Sequence, residues 1–216
     1  MPISVITIAR QVGTGGEEVA RIVAEKLGYR LLDYRIVQEA AIEAGVSPET
    51  IAEAQRRPSF FARIIEALAR NPGAGAVQWG EPVNIGATPI LTSADYRQLV
   101  QQVVEDFAAD GRVVFLGHGA QFMLHERSDV FRVLVAGSEG PRVRRLMQQM
   151  ACDEATARDV AQRTDRERVA YFREYYGAEW LSPASYDLVV NTDRLEPEAA
   201  ARVVLGAVEL LQPAAV

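Results

Sequence analysis

The chain is poor in lysine, cysteine and histidine, and it has no long hydrophobic run. One lysine, Lys26, stands among 23 basic residues, so nearly every cation is an arginine. A nucleotide-phosphate loop ordinarily carries a lysine, so any such role here falls to arginine. A single cysteine, Cys152, excludes an internal disulfide and reads as a half-buried helix residue. No apolar stretch approaches the roughly 20 residues that span a bilayer, which predicts no membrane partner. Met1-Pro2-Ile3-Ser4 lacks a basic leader region, so the expected location is cytoplasmic. A net charge of −6 argues against general nucleic-acid binding. With 49% hydrophobic and 24% charged residues, 216 residues suit one globular core with a mobile subdomain at most.

What is present is organised around Ser4 to Leu27. Val5-Ile6-Thr7-Ile8-Ala9 is β-branched and apolar, the pattern of a strand covered on both faces. Arg10-Gln11-Val12-Gly13-Thr14-Gly15-Gly16 follows as a tight loop. Val19, Ile22, Val23 and Leu27 then recur at helical spacing. A strand, a glycine loop and a helix N-terminus together form an anion site, because the N–H groups of a first helical turn have no partners within the helix.

Further along, Tyr29 to Asp33 predicts a second strand, and Tyr34 to Ala44 a helix. A short helix begins near Ser47-Pro48 and runs to about Arg57. Phe60, Phe61, Ile64, Ile65 and Leu68 form an apolar stripe that would suit a homodimer face. Asn71 to Pro89, which holds Trp79, is a long Gly- and Pro-rich piece. Ser93 to Asp110 reads as a helix, Val113 to Leu116 as a third strand, and Val130 to Ala136 as a fourth. A helix carrying Val143, Leu146, Met147 and Met150 comes next, with Arg142, Arg144 and Arg145 expected on its outside. Asp153 to about Tyr176 is a charged helix, Tyr186 to Asn191 a fifth strand, and Pro197 to Leu211 a closing helix. Alternating strands and helices imply a parallel sheet, with ligands beyond the carboxyl ends of its strands.

Two motif templates fit the loop in part. In G-x-x-x-x-G-K-[ST], setting Gly15 as the second glycine puts Arg10 at the first glycine, Gly16 at the lysine and Glu17 at the hydroxyl residue. In the dinucleotide fingerprint, Gly13 and Gly15 fit and Asp33 falls where a ribose-binding acid belongs, but Glu18 stands at the third glycine. A dehydrogenase of that type remains open on these residues alone.

Taken with Leu32-Asp33-Tyr34-Arg35, Gly117-His118-Gly119-Ala120-Gln121-Phe122, Arg163 to Tyr176 with Trp180, and Tyr186 to Thr192, the Ile6 to Gly16 segment resembles the cytidylate kinase-like family. That resemblance implies an α/β, three-layer P-loop kinase-like fold with a five-stranded parallel sheet and an arginine-rich helical lid. It divides a single domain into a core (1–57, 93–150 and 186–216), an acceptor-region insert at about 58–92, and a lid at about 153–180. It further implies ATP or another nucleoside triphosphate with Mg²⁺, and a small-molecule phosphate acceptor. In this assignment Gly13, Thr14, Gly15, Gly16 and Glu17 hold the phosphates. Arg10 supplies the charge of the absent lysine, and Asp33 organises metal or acceptor. Arg163, Arg166 and Arg168 clamp from the lid, and Arg35 and His118 contact the acceptor. The family ordinarily has an arginine where His118 stands.

Phosphoryl transfer rests on positioning and on neutralising the equatorial oxygens, which calls for several cations arriving together. Arg163, Arg166, Arg168 and Arg173 surround Asp165, with Asp165 and Arg168 spaced as an i,i+3 pair. Tyr171, Tyr175 and Tyr176 read as packing residues. Two functions follow: a phosphotransferase acting on a nucleoside monophosphate (CMP-like) or other small acceptor, or a nucleotide- or anion-binding sensor whose loop no longer catalyses.

Overall fold

The computed structural model describes residues 2–33, 94–117 and 119–212. The expectations for 34–92, which include Arg35, the Trp79 piece and the Phe60–Leu68 stripe, lie outside those residues, as does His118.

The first strand, β1 (Val5–Arg10), is apolar because both faces are covered. Ile6 and Ile8 point into one core, while Val5 and Ala9 point to the other side. Helix α1 (Gly16–Leu27) returns antiparallel to it and buries Val19, Ala20, Val23 and Ala24. Then come β2 (Arg30–Asp33), α2 (Ala94–Asp110), β3 (Val113–Leu116) and a single-turn α3 (Ala120–Met123). The second half holds β4 (Val130–Ala136), α4 (Glu139–Met150), α5 (Glu154–Tyr176), β5 (Leu188–Asn191) and α6 (Pro197–Leu211). Proline at the first turn of α6 presets the backbone there without losing an internal hydrogen bond. Asp153 caps α5 by accepting a 2.8 Å hydrogen bond from the Thr156 N–H.

The described strands form a five-stranded parallel sheet in the order β2-β3-β1-β4-β5. Helices α1 and α6 pack together on one face, where Val19, Val23, Val204 and Val208 close over Ile6, Ile8, Val114 and Val133. A smaller apolar cluster between α4 and α5, around Val143, Leu146, Ala157 and Ala161, joins the charged helix to the core. Cys152 lies in the turn between these two helices rather than within one. None of the described helices is long and apolar enough to cross a membrane.

The strand order overturns the dinucleotide reading. That fold places β2 beside β1, so that an acid ending β2 reaches a ribose held by the β1 loop. Here β3 lies between them, with Ile8 level with Leu116 and Asp33 level with Leu116 on its far side. Asp33 is therefore two strand spacings, roughly 10 Å, from the end of β1.

Candidate functional site

Strand β1 is central, and the chain crosses from its β3 side to its β4 side after α3. Such a switch point opens a crevice beyond the strand ends. The glycine loop fills it. Gln11 N–H donates to the Val135 carbonyl at 3.0 Å, and its side-chain oxygen accepts from Gly137 N–H at 3.2 Å, so the loop is stitched to the end of β4. The Thr14 hydroxyl is fully buried and donates to the Gln11 carbonyl at 2.7 Å. Gly13 has φ +77°, and a Cβ there would stand 2.7 Å from the Arg142 carbonyl oxygen, so both backbone and space require glycine. Helix α1 begins at Gly15 and Gly16 with no cap from the Gly15 position, so apart from the Glu17 N–H, which meets its own carboxylate, its first-turn N–H groups suit an external anion.

Arg10 lies over this helix start. Its Nε donates to Glu17 Oε1 at 2.9 Å, and its Nη1 comes within 2.8 Å of where a Cβ on Gly117 would be, at the end of β3. Burial pushes the Glu17 carboxyl up, but the Arg10 charge and hydrogen bond, its own N–H and the Arg168 charge outweigh it. The group ends below its ordinary value of 4.5. A carboxyl lowered on folding stabilises the protein above its unfolded value, and that contribution disappears as pH falls through the folded value. We expect Glu17→Gln to flatten the acid limb: between pH 6 and 3 the variant should lose less Tm than the parent. Parallel Tm curves over that range would show that the pair contributes nothing to acid stability.

The lid helix reaches this loop through two side chains. Asp165 accepts a bidentate pair from Arg142, 2.7 Å from Nη1 and 3.0 Å from Nη2, and a third hydrogen bond from Gln11 Nε2 at 2.9 Å. Arg142 also donates from Nε to the Val12 carbonyl at 2.8 Å. Arg168 donates to the Arg10 carbonyl at 2.6 Å and lies over the ring of Trp180. Burial, and next the Arg10 charge, pull Arg168 down to about 9, against the opposing effect of Glu17 and Asp165. It remains a cation at neutral pH, crowded by another.

These contacts correct two expectations. Arg142 is not on the outside of α4 but 3% exposed, because its stem lies beside Gly137 after the end of β4 and its charge meets Asp165. Arg145 likewise turns inward and donates to the Thr192 carbonyl, whereas Arg144 is exposed as expected. Asp165 pairs with Arg142 rather than with Arg168, since the helix aims it at α4 while Arg168 continues to the loop.

Of the other lid arginines, Arg163 is exposed with Asp159 at 3.9 Å, and Arg166 is exposed. Neither touches the loop in this arrangement. Tyr171, Phe172, Tyr176, Phe122 and Trp180 form a ring cluster under the far end of the lid, in keeping with a packing role. Asp33 ends β2, the outer strand on the β3 side of the sheet. The residues that sequence reasoning missed are Gln11, Arg142 and Asp165 as connectors. Arg142 carried a readable signal, standing four residues before Leu146 on the apolar stripe of α4.

The sequence matches the cytidylate kinase-like family over residues 5–194. The chain belongs to that family. No curated protein matches it. Among solved structures it is similar to an uncharacterised protein from Eubacterium ventriosum ATCC 27560, at 18% identity and TM-score 0.69, over 96% of this chain and 99% of that one. It is also similar to a gluconokinase from Sinorhizobium meliloti 1021, at 13% identity and TM-score 0.53, over 98% and 95% of the two chains. A shikimate kinase from Bacteroides thetaiotaomicron matches at 13% identity and TM-score 0.50, over 95% and 98%. At these identities the likeness shows a shared fold, the P-loop kinase architecture with its five parallel strands.

Proposed function

We propose that the protein is a nucleotide-dependent phosphotransferase that moves the γ-phosphoryl group of ATP to a small acceptor, a CMP-like nucleoside monophosphate being the first choice. The observation that carries this reading is the uncapped helix start at Gly15 and Gly16 with the Arg10 and Arg168 side chains brought against it. Backbone N–H groups and two neighbouring cations suit a polyphosphate, whose charge would oppose the burial and the Arg10 repulsion that together lower Arg168. Family membership implies nucleotide and Mg²⁺ in general terms.

The residues present fit that pair. Gly13 to Gly16 would hold the phosphates by their N–H groups, and Arg10 would neutralise them from the end of β1. Mg²⁺ commonly takes one or two carboxylates plus phosphate oxygens, and Glu17, in the first turn of α1, and Asp33, at the end of β2, are the residues that would supply them. Bound there, the metal would neutralise charge on the transferring group. Arg168 would hold the lid on the loop, while Arg163 and Arg166 supply further cations as the lid closes on substrate. Arg35 and His118 are assigned to the acceptor by the resemblance.

The sensor reading draws on one observation: Glu17 already partners Arg10, which tempers the charge the loop offers. One experiment separates the two. Purified protein with ATP and Mg²⁺ is offered CMP, UMP, dCMP and other nucleoside monophosphates while ADP release is followed. We expect ADP with one acceptor above the acceptor-free rate. A thermal shift with ATP but no ADP on any acceptor would favour the sensor, and neither response would remove both.

A further inference from the structure

Glycine is a poor helix residue, costing about 1 kcal/mol relative to alanine in a helix interior, so its place at the first position of α1 has to be accounted for by backbone conformation or by space. Gly16 has no such backbone demand: it is not among the glycines with positive φ. Space is the reason. A Cβ on Gly16 would lie 2.5 Å from Arg10 Cβ and 2.8 Å from Arg10 Cγ, closer than real carbon atoms approach. In the lysine-containing pattern Gly16 occupies the lysine position and Arg10 the first glycine. The two departures from the pattern are thus in contact, and each is the other's condition. A first glycine would leave room for a lysine stem at 16; an arginine at 10 takes that room.

We infer that Arg10 and Gly16 are a reciprocal exchange, in which the phosphate-binding cation enters from the last residue of β1 instead of the first turn of α1. Glu17 completes it. The hydroxyl residue of the pattern is replaced by a carboxylate that holds Arg10 Nε at 2.9 Å and so orients the guanidinium, with Nη1 extending toward Gly117 at the end of β3. Glu17 is in this sense a positioning residue for Arg10. The inference rests on the phosphate-binding role given to this loop above, but its steric half stands independently.

Two measurements test the two halves. In the first, Gly16→Ala is made in the parent and in an Arg10→Gly background, and Tm is read by calorimetry. The clash predicts a fall of about 5 °C in the parent and no fall, or a rise, in the Arg10→Gly background. An equal fall in both would overturn the exchange. In the second, the Kd for ATP with Mg²⁺ is measured by titration calorimetry for the parent, for Arg10→Gly, and for Arg10→Gly/Gly16→Lys/Glu17→Thr, which writes the lysine-containing pattern. Arg10→Gly should weaken binding by about 30-fold, as expected for a lost charge-assisted contact, and the triple variant should recover most of it. Triple-variant binding no tighter than that of Arg10→Gly would also overturn the exchange. Coupled stabilities and restored ATP binding without ADP formation on any acceptor would leave the exchange standing and remove the kinase reading. A parent that binds no ATP would remove both.

Discussion

Arg142→Met should lower Tm by about 6–12 °C. Arg142 is 4% exposed at its side chain, and Asp165, at 22%, takes both its terminal nitrogens. Removing one partner of such a pair leaves a half-buried carboxylate facing α4, with only Gln11 still donating. Breaking buried pairs costs about 3–5 kcal/mol; the partial exposure of Asp165 places this one near 3 kcal/mol. A chain of this length loses about 2–4 °C per kcal/mol. The Val12 carbonyl also loses its donor, which loosens the turn before Gly13. Removing both charges differs, because no unpaired charge is then buried, although the Val12 carbonyl and Gln11 Nε2 still lose their partners. Arg142→Met/Asp165→Leu should recover part of the loss. A fall below 2 °C in the single variant would show that the pair does not tie the lid helix to the loop.

Arg10→Ala should cut ATP-dependent phosphoryl transfer by about 10²–10³-fold, the scale on which a single well-placed donor to developing charge acts. With one lysine in the chain, and that at the far end of α1, no lysine can take over at the loop. Arg168 approaches the loop from the lid but is committed to the Arg10 carbonyl. Because the contact grows as charge develops on the transferring group, the loss should appear in kcat as well as in kcat/KM. The assay belongs well below the Tm of the variant, since Glu17 also loses its partner. Turnover within threefold of the parent would remove Arg10 from the mechanism.

The parts of this molecule that were legible from one dimension are those set by local pattern. Val130–Ala136 and Pro197–Leu211 appear with the expected bounds, and α2 and α5 differ by one residue at the start. β-branched runs and apolar stripes carry their own period, and proline, glycine and aspartate mark the ends. The second and fifth strands are shorter than expected, at Arg30 and Leu188, because a strand lasts only as long as a neighbour pairs with it. The single-turn α3 carried too few residues to show a period.

Charge was legible as composition and illegible as pairing. The arginines of α4 looked like a solvated face because charged residues are rarely buried unless paired, and the partner of Arg142 is 23 residues away on the next helix. Gln11 and Asp165 meet across 154 residues. By itself, then, the sequence determined the α/β alternation, the strand–loop–helix opening with its glycines, and a family resemblance that the match over residues 5–194 bears out. Only the tertiary structure decided the order β2-β3-β1-β4-β5, which takes Asp33 away from the β1 loop, and the contact that sets Arg10 where a Gly16 side chain would be. The physical reason is one of range. Propensity and periodicity act within a turn or two of chain, whereas a guanidinium's neighbour is chosen by which strand lies beside which.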